Sequence, residues 1–171
     1  MKTKFAVLIG VGVCAFVLWP MFIAGPSTKM RLKRAKDKRA FAGCIPLKDG
    51  KVFLINGRKK HKFLLPKGGI EEGEMGYYAA GKEALEEAGV IGKIDMEPIT
   101  REGGVDWYIM DVEKVLSTWK EQHERIRQEM ALEDALLHSE VRAVVKVVLK
   151  SAARAEKGKP DPRIKMPDSI I

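Results

Sequence analysis

The stretch Gly68–Val90, GGIEEGEMGYYAAGKEALEEAGV, sets a glycine-rich loop ahead of a short helical segment loaded with glutamate. Glu83, Glu86 and Glu87 stand at i, i+3 and i+4, so a helix brings their carboxylates to one face. Crowded carboxylates raise one another's pKa when nothing positive lies among them. Such crowding needs a reason in a chain whose formal net charge is +8. A divalent metal removes the conflict, and Mg²⁺ favours hard oxygen ligands shared with substrate phosphates. A solvated acidic face is the plainer alternative. Gly68, Gly69, Gly73 and Gly76 make the loop, and the helix is expected over about Tyr77–Ala88. Gly89 suits a left-handed end to it.

Strand patterns surround this unit. One begins at Arg39 (RAFAGCIPL), and Asp49-Gly50 offers a hairpin turn before Lys51–Ile55. Phe63–Leu65 reads as a short strand stopped by Pro66. Strand patterns return at Gly92–Ile99 and Val105–Val112. A second helix is expected over about Glu133–Glu156, with Leu136, Leu137, Val141, Val144, Val145 and Val148 on one face. Strands flanked by two helices predict a mixed α/β sandwich.

The whole spacing is more specific than the glutamates alone. Gly68, five residues, Glu74, seven residues, then Lys82-Glu83-Ala84-Leu85-Glu86-Glu87-Ala88-Gly89-Val90 resembles the Nudix box, with Lys82 where that motif has arginine. The resemblance covers about Arg39 to Lys150 and implies a Nudix-like α/β/α sandwich. Within the family the chain is most similar to the diphosphoinositol polyphosphate phosphohydrolases. The resembling pieces are Lys38-Arg39-Ala40, Asn56-Gly57-Arg58, Leu65-Pro66-Lys67-Gly68-Gly69, Trp119 with Arg125-x-Arg127, and Glu133-Asp134-Ala135. Lys67 and Met130 depart from the subfamily pattern.

What the resemblance implies is a Mg²⁺-dependent phosphoanhydride hydrolase, with Mn²⁺ as an alternative ion. Glu83, Glu87 and the backbone carbonyl of Lys67 would ligate the metal, and Glu86 would be the base or a further ligand. Glu74 would position loop and helix. Lys82 would pair with a glutamate of the motif, although an ammonium lacks arginine's bidentate fork. Gly68 and Gly89 complete the motif. Lys38, Arg39, Arg58, Arg101, Arg125 and Arg127 would grip phosphates, while Asn56 and Gly57 bring an amide and a close backbone to the same rim. The expected substrate is a diphosphoinositol polyphosphate, losing its terminal phosphate, with dinucleoside polyphosphates as further substrates. A nucleotide or RNA-cap pyrophosphatase is one alternative, and Tyr77, Tyr78, Trp107 and Tyr108 are the aromatics that could stack a base. A non-catalytic module binding inositol phosphate or lipid is the other.

Composition narrows the classes further. Cys14 and Cys44 form no metal knuckle or disulfide framework, and His61, His123 and His138 are too scattered for a zinc site. Basic residues cluster over Lys29–Arg39 and again at Arg58–Lys62, which suits polyanionic partners. Phe5–Ala24 is an uncharged run of 20 residues, about the length that spans a bilayer. A signal peptide is the rival, but a cut after Ala24 would put bulky Phe22 where a small residue is wanted. The heavier basic flank on the carboxy-terminal side directs that side to the cytoplasm. The expected organisation is a transmembrane anchor (5–24), a basic linker (25–38), a hydrolase domain (39–157) and a disordered tail (158–171). Expected partners are a polyphosphorylated small molecule and a membrane. Nucleic acid is not among them, and the sequence does not define an oligomeric state.

Overall fold

Two neighbouring strands carry apolar residues on both of their faces. In β1 (Phe41–Lys48) Ala42 and Cys44 face one side while Ile45 and Leu47 face the other. In β2 (Lys51–Asn56) Phe53 and Ile55 oppose Val52 and Leu54. Side chains alternate along a strand, so such strands need a cover on each face. Two helices supply it. The computed structural model of the chain describes residues 39–56, 61–155 and 163–167.

The glutamate-bearing helix α1 (Gly76–Glu83) continues into a π turn (Ala84–Ala88) and covers the first face. Ala80, Ala84 and Ala88 recur every four residues, and these small side chains let the helix backbone approach the sheet closely. On the opposite face α3 (Ala143–Ala155) buries Val145, Val148, Leu149 and Ala152 against Ile45, Leu47 and Leu54. The sheet thus lies between two apolar cores in an α/β/α arrangement.

The other strands are β3 (Phe63–Leu64), β4 (Lys67–Gly69), β5 (Val90–Asp95), β6 (Thr100–Glu102), β7 (Val105–Val115), β8 (Arg127–Ala131) and β9 (Arg163–Lys165). The sheet order is β3-β2-β1-β7-β5-β9, with β4 on β1, β6 on β7 and β8 on β2. β1 and β7 run parallel from Phe41↔Val105 to Leu47↔Asp111, and the other named strands pair antiparallel. β4 matters most for the site. It pairs Gly68 with Ala42 and so fixes the glycine loop beside β1, where the sequence shows only a loop.

Two expectations are corrected, and one strand appears that the sequence did not announce. The long helix expected over Glu133–Glu156 is broken into α2 (Leu132–Leu137) and α3. Phe63 is the reason: its N–H donates to the Glu140 carbonyl at 2.9 Å, and its own carbonyl accepts from the Arg142 N–H at 3.3 Å. Edge-strand bonding takes backbone groups that a continuous helix would have used. The segment Arg127–Ala131, without a clear strand pattern, pairs along β2 as β8. In the tail expected to be disordered, residues 163–165 pair with β5, and Met166 is buried against α1 beside Gly81.

The apolar run 5–24 and basic linker 25–38, read as anchor and linker, lie outside the described residues. Among the described residues no helix is long and apolar enough to cross a membrane.

Candidate functional site

The site grows from the junction of β4 and α1. The π turn carries Glu86 and Glu87, Glu83 flanks it, and Gly89 ends it at φ +62°, a left-handed conformation natural to glycine. Widened turns of this kind are frequent at functional positions. Gly68 meets the Glu83 carboxylate so closely that a Cβ there would overlap it. The glycine loop therefore brings backbone and carboxylate together, which no larger residue would allow.

Glu87 is buried, and both of its carboxylate oxygens are engaged. One accepts the Lys67 backbone N–H at 3.0 Å, and the other is held by Arg125. Burial still dominates and pushes the Glu87 carboxyl up to about 7, with the charges of Glu83 and Glu121 adding to it. Glu83 is raised for the same first reason, burial, and then by Glu86 and Glu121. Glu86 is more open, and Lys120 Nζ reaches its carboxylate at 2.8 Å. Arg125 also donates to Glu121 at 3.1 Å and to the Asn56 carbonyl at 3.2 Å.

Glu74 has a separate role. Its carboxylate accepts from Lys82 Nζ at 2.8 Å and from the Glu71 N–H at 2.9 Å. Burial works against the charge, yet the Lys82 ammonium, the Glu71 amide and nearby Arg39 hold the carboxyl below its ordinary range. Lys82 also lies 3.4 Å from Glu71, so one ammonium ties the loop to the helix. The Arg39 side chain lies over Gly69 beside this pair.

The described residues thus bring Arg39, Asn56, Lys67, Gly68, Glu74, Lys82, Glu83, Glu86, Glu87, Gly89 and Arg125 around one helix. Arg101 is not among them: it sits exposed on β6 and is paired with Asp106 at 3.5 Å. Lys38, Gly57 and Arg58 lie outside the described residues. Arg127, expected at the phosphate rim, instead donates to the backbone carbonyls of Ala88, Gly89 and Leu116. Trp107 and Tyr108 are buried in the two cores, which removes them as stacking surfaces. Asn56 is buried with its Oδ1 accepting from Ile126 N–H at 2.8 Å. Its Nδ2 has no hydrogen-bond partner among the described residues, leaving a donor for a ligand oxygen or a water. Lys120 and Glu121 carried no sequence signal, because only the return of segment 117–126 to α1 puts them beside the glutamates.

Among the described residues no three His, Cys, Asp or Glu side chains converge into a ready-made ion cage. Arg125 and Lys120 hold Glu87 and Glu86 in ion pairs instead. The donor chemistry nevertheless fits Mg²⁺, which takes one or two carboxylates and fills its remaining positions with water and phosphate oxygens. Two carboxyls raised by burial and by like charge are groups that a divalent cation would hold ionised.

The family model described as NUDIX domain matches residues 37–148. Nudix hydrolase 18, mitochondrial, of Arabidopsis thaliana is 33% identical over 120 residues, covering 58% of this chain and 68% of that protein. Among solved structures, a C. elegans Ap4A hydrolase binary complex superposes with a TM-score of 0.53 at 20% identity, covering 70% of this chain and 100% of the other. The Bacillus subtilis pyrophosphohydrolase BsRppH gives 0.52 at 18% identity, covering 73% and 86%. At such identities these two structures speak for the fold alone. With the glutamate turn, the glycine loop and the family match over most of its length, the chain belongs to the Nudix hydrolase family.

Proposed function

We propose that the chain is a Mg²⁺-dependent phosphoanhydride hydrolase that removes the terminal phosphate of diphosphoinositol polyphosphates. The observation that carries the reading is the turn that bears Glu86 and Glu87 beside Glu83, with Glu83 lying against Gly68 and the other two paired to Lys120 and Arg125. The bound ion would offset the negative charge of the phosphates and hold their oxygens close to the glutamates. Glu83 and Glu87 would hold it together with the Lys67 carbonyl. Release of Glu87 by Arg125 would open that carboxylate further to the ion and free the guanidinium for substrate phosphate. Glu86, more accessible than Glu87, would take the proton of an attacking water. Arg39, Lys67, Lys120 and Arg125 then supply positive charge for a heavily phosphorylated ring. An adenine site would want an open aromatic face; Trp107 and Tyr108 are buried, which leaves the half-buried Tyr77 and Tyr78 as the aromatics such a site would have to use.

The run 5–24 would anchor the domain to a membrane with the site on the cytoplasmic side. The enzymatic reading is tested by phosphate release from the full chain in detergent, with Mg²⁺ and then EDTA. The panel pairs a diphosphoinositol polyphosphate with a dinucleoside polyphosphate and a capped RNA. Faster turnover of the inositol substrate, abolished by EDTA, is expected. Preference for either nucleotide substrate would reassign the substrate class. No hydrolysis of any of the three would sink the enzyme reading.

A further inference from the structure

The carbonyls at the end of the glutamate turn are all occupied, and mostly from outside the helix. The Leu85 carbonyl accepts the Gly89 N–H at 3.0 Å, and the Glu86 carbonyl accepts the Glu121 N–H at 3.1 Å. The Glu87 carbonyl takes Trp119 Nε1 at 3.2 Å. The Ala88 carbonyl takes an Arg127 guanidinium N–H at 2.8 Å. The Gly89 carbonyl takes the Leu116 N–H at 2.8 Å and Arg127 again at 3.2 Å. Helix ends leave their last carbonyls without internal partners, so these bonds set where the turn stops and how it is rotated.

Arg127 is the junction of this set. Its other terminal nitrogen donates to the Leu116 carbonyl at 3.0 Å, and the guanidinium lies 4.4 Å from the Trp119 ring centre. One planar group thus ties the glutamate turn to the end of β7 while stacked on the indole that holds the Glu87 carbonyl. Trp119 in turn packs directly against Gly89, where a side chain would collide with it. A lysine could not reproduce the pattern, because the three carbonyls are met by two nitrogens of a rigid fork. The positive group also lies where the helix presents its negative end.

We infer that Arg127, seated on Trp119, is a positioning residue that aims the carboxylates of Glu86 and Glu87 through the backbone of their turn. Its hydrogen bonds go to the Ala88, Gly89 and Leu116 carbonyls and not to the carboxylates it would aim. The inference rests on the hydrolase reading above, because it assigns Arg127 a part in that site's geometry. Groups that orient metal ligands in this indirect way commonly change affinity or rate by about 10–100-fold when removed.

The test uses the full chain and its Arg127→Met, Arg127→Lys and Trp119→Phe variants. Mn²⁺ binding is followed by electron paramagnetic resonance, beside kcat, KM and thermal unfolding. A Val148→Ala variant, in the core on the far face, serves as a control for lost stability alone. Arg127→Met should weaken Mn²⁺ binding and lower kcat by about tenfold or more, with KM within about threefold. Arg127→Lys should recover only part of the loss, Trp119→Phe should show a smaller loss of the same kind, and Val148→Ala should leave Mn²⁺ affinity unchanged. If Arg127→Met does not fold, Trp119→Phe carries the test, and unchanged Mn²⁺ affinity in it overturns the role. Lower stability with unaltered Mn²⁺ affinity and kcat would reduce Arg127 to a structural cap. A wild-type chain that binds no Mn²⁺ and hydrolyses nothing would overturn the hydrolase reading itself, before any variant is compared.

Discussion

Glu87 is the residue where burial, charge and chemistry meet most tightly. Its folded-state carboxyl pKa of about 7 lies above the ordinary value of 4.5. The native chain therefore binds an extra proton between those values, and its stability falls as pH rises through that window. In metal-free protein the fall should be at most about 3 kcal/mol, read by urea unfolding at pH 5 and pH 8. Glu87→Gln should flatten the dependence, and saturating Mg²⁺ should abolish it between pH 5 and pH 8; a pH-independent wild type would mean that Arg125 keeps Glu87 ionised throughout. The same variant should lose hydrolysis by about 10²–10³-fold while remaining folded. Lys82 offers the opposite case. It bridges Glu74 and Glu71 as a single ammonium, so Lys82→Arg should keep or raise kcat by letting a fork span both carboxylates. A sharp drop in kcat would show that the lysine does something a guanidinium cannot.

Among the elements, β4 and α1 act as a pair because Gly68 leaves no gap between strand and carboxylate. Gly68→Ala should push Glu83 aside and cut kcat well beyond any change in unfolding midpoint. Equal, small effects on both would show that the Glu83 side chain swings away without consequence. The C-terminal strand makes a different contribution. Met166 is buried where β9 brings it onto α1, so Met166→Ala should cost about 2 kcal/mol in urea unfolding of the full chain. No measurable loss would mean that β9 does not hold its place on β5 in solution.

Among the described residues, the candidate site lies on the face of the sheet that α1 covers, and α3 covers the opposite face. The proposed anchor adds a direction to that arrangement. On that proposal a glycosylation site engineered just before Lys2 should be modified and one within 158–171 should not, since the basic flank would keep the domain cytoplasmic. Asn56 is the chain's sole asparagine and is followed by Gly57-Arg58, so no native signal obscures the assay. Reversed modification would invert the orientation, and a mature chain starting near Gly25 would replace the anchor with a cleaved leader.

The sequence by itself determined what spacing along a regular element determines. Glu83, Glu86 and Glu87 share a helix side because of their intervals, and the strands of the central sheet are legible because their apolar residues alternate or run together. A left-handed end to the helix at Gly89 is legible because glycine's own backbone adopts it freely. Only the tertiary structure decided what depends on residues distant along the chain. Phe63 breaks the expected long helix by bonding Glu140 and Arg142, about 80 positions away, and no local pattern in that helix announces it. β4, β8 and β9 are strands because a neighbouring backbone offers its hydrogen bonds, whatever their own side chains prefer. Lys120, Arg125 and Arg127 gain their parts in the same way. The segment from Ser117 to the start of β8 folds back onto the glutamate turn, and there a buried carboxylate or an unpartnered carbonyl sets which positive charge it meets.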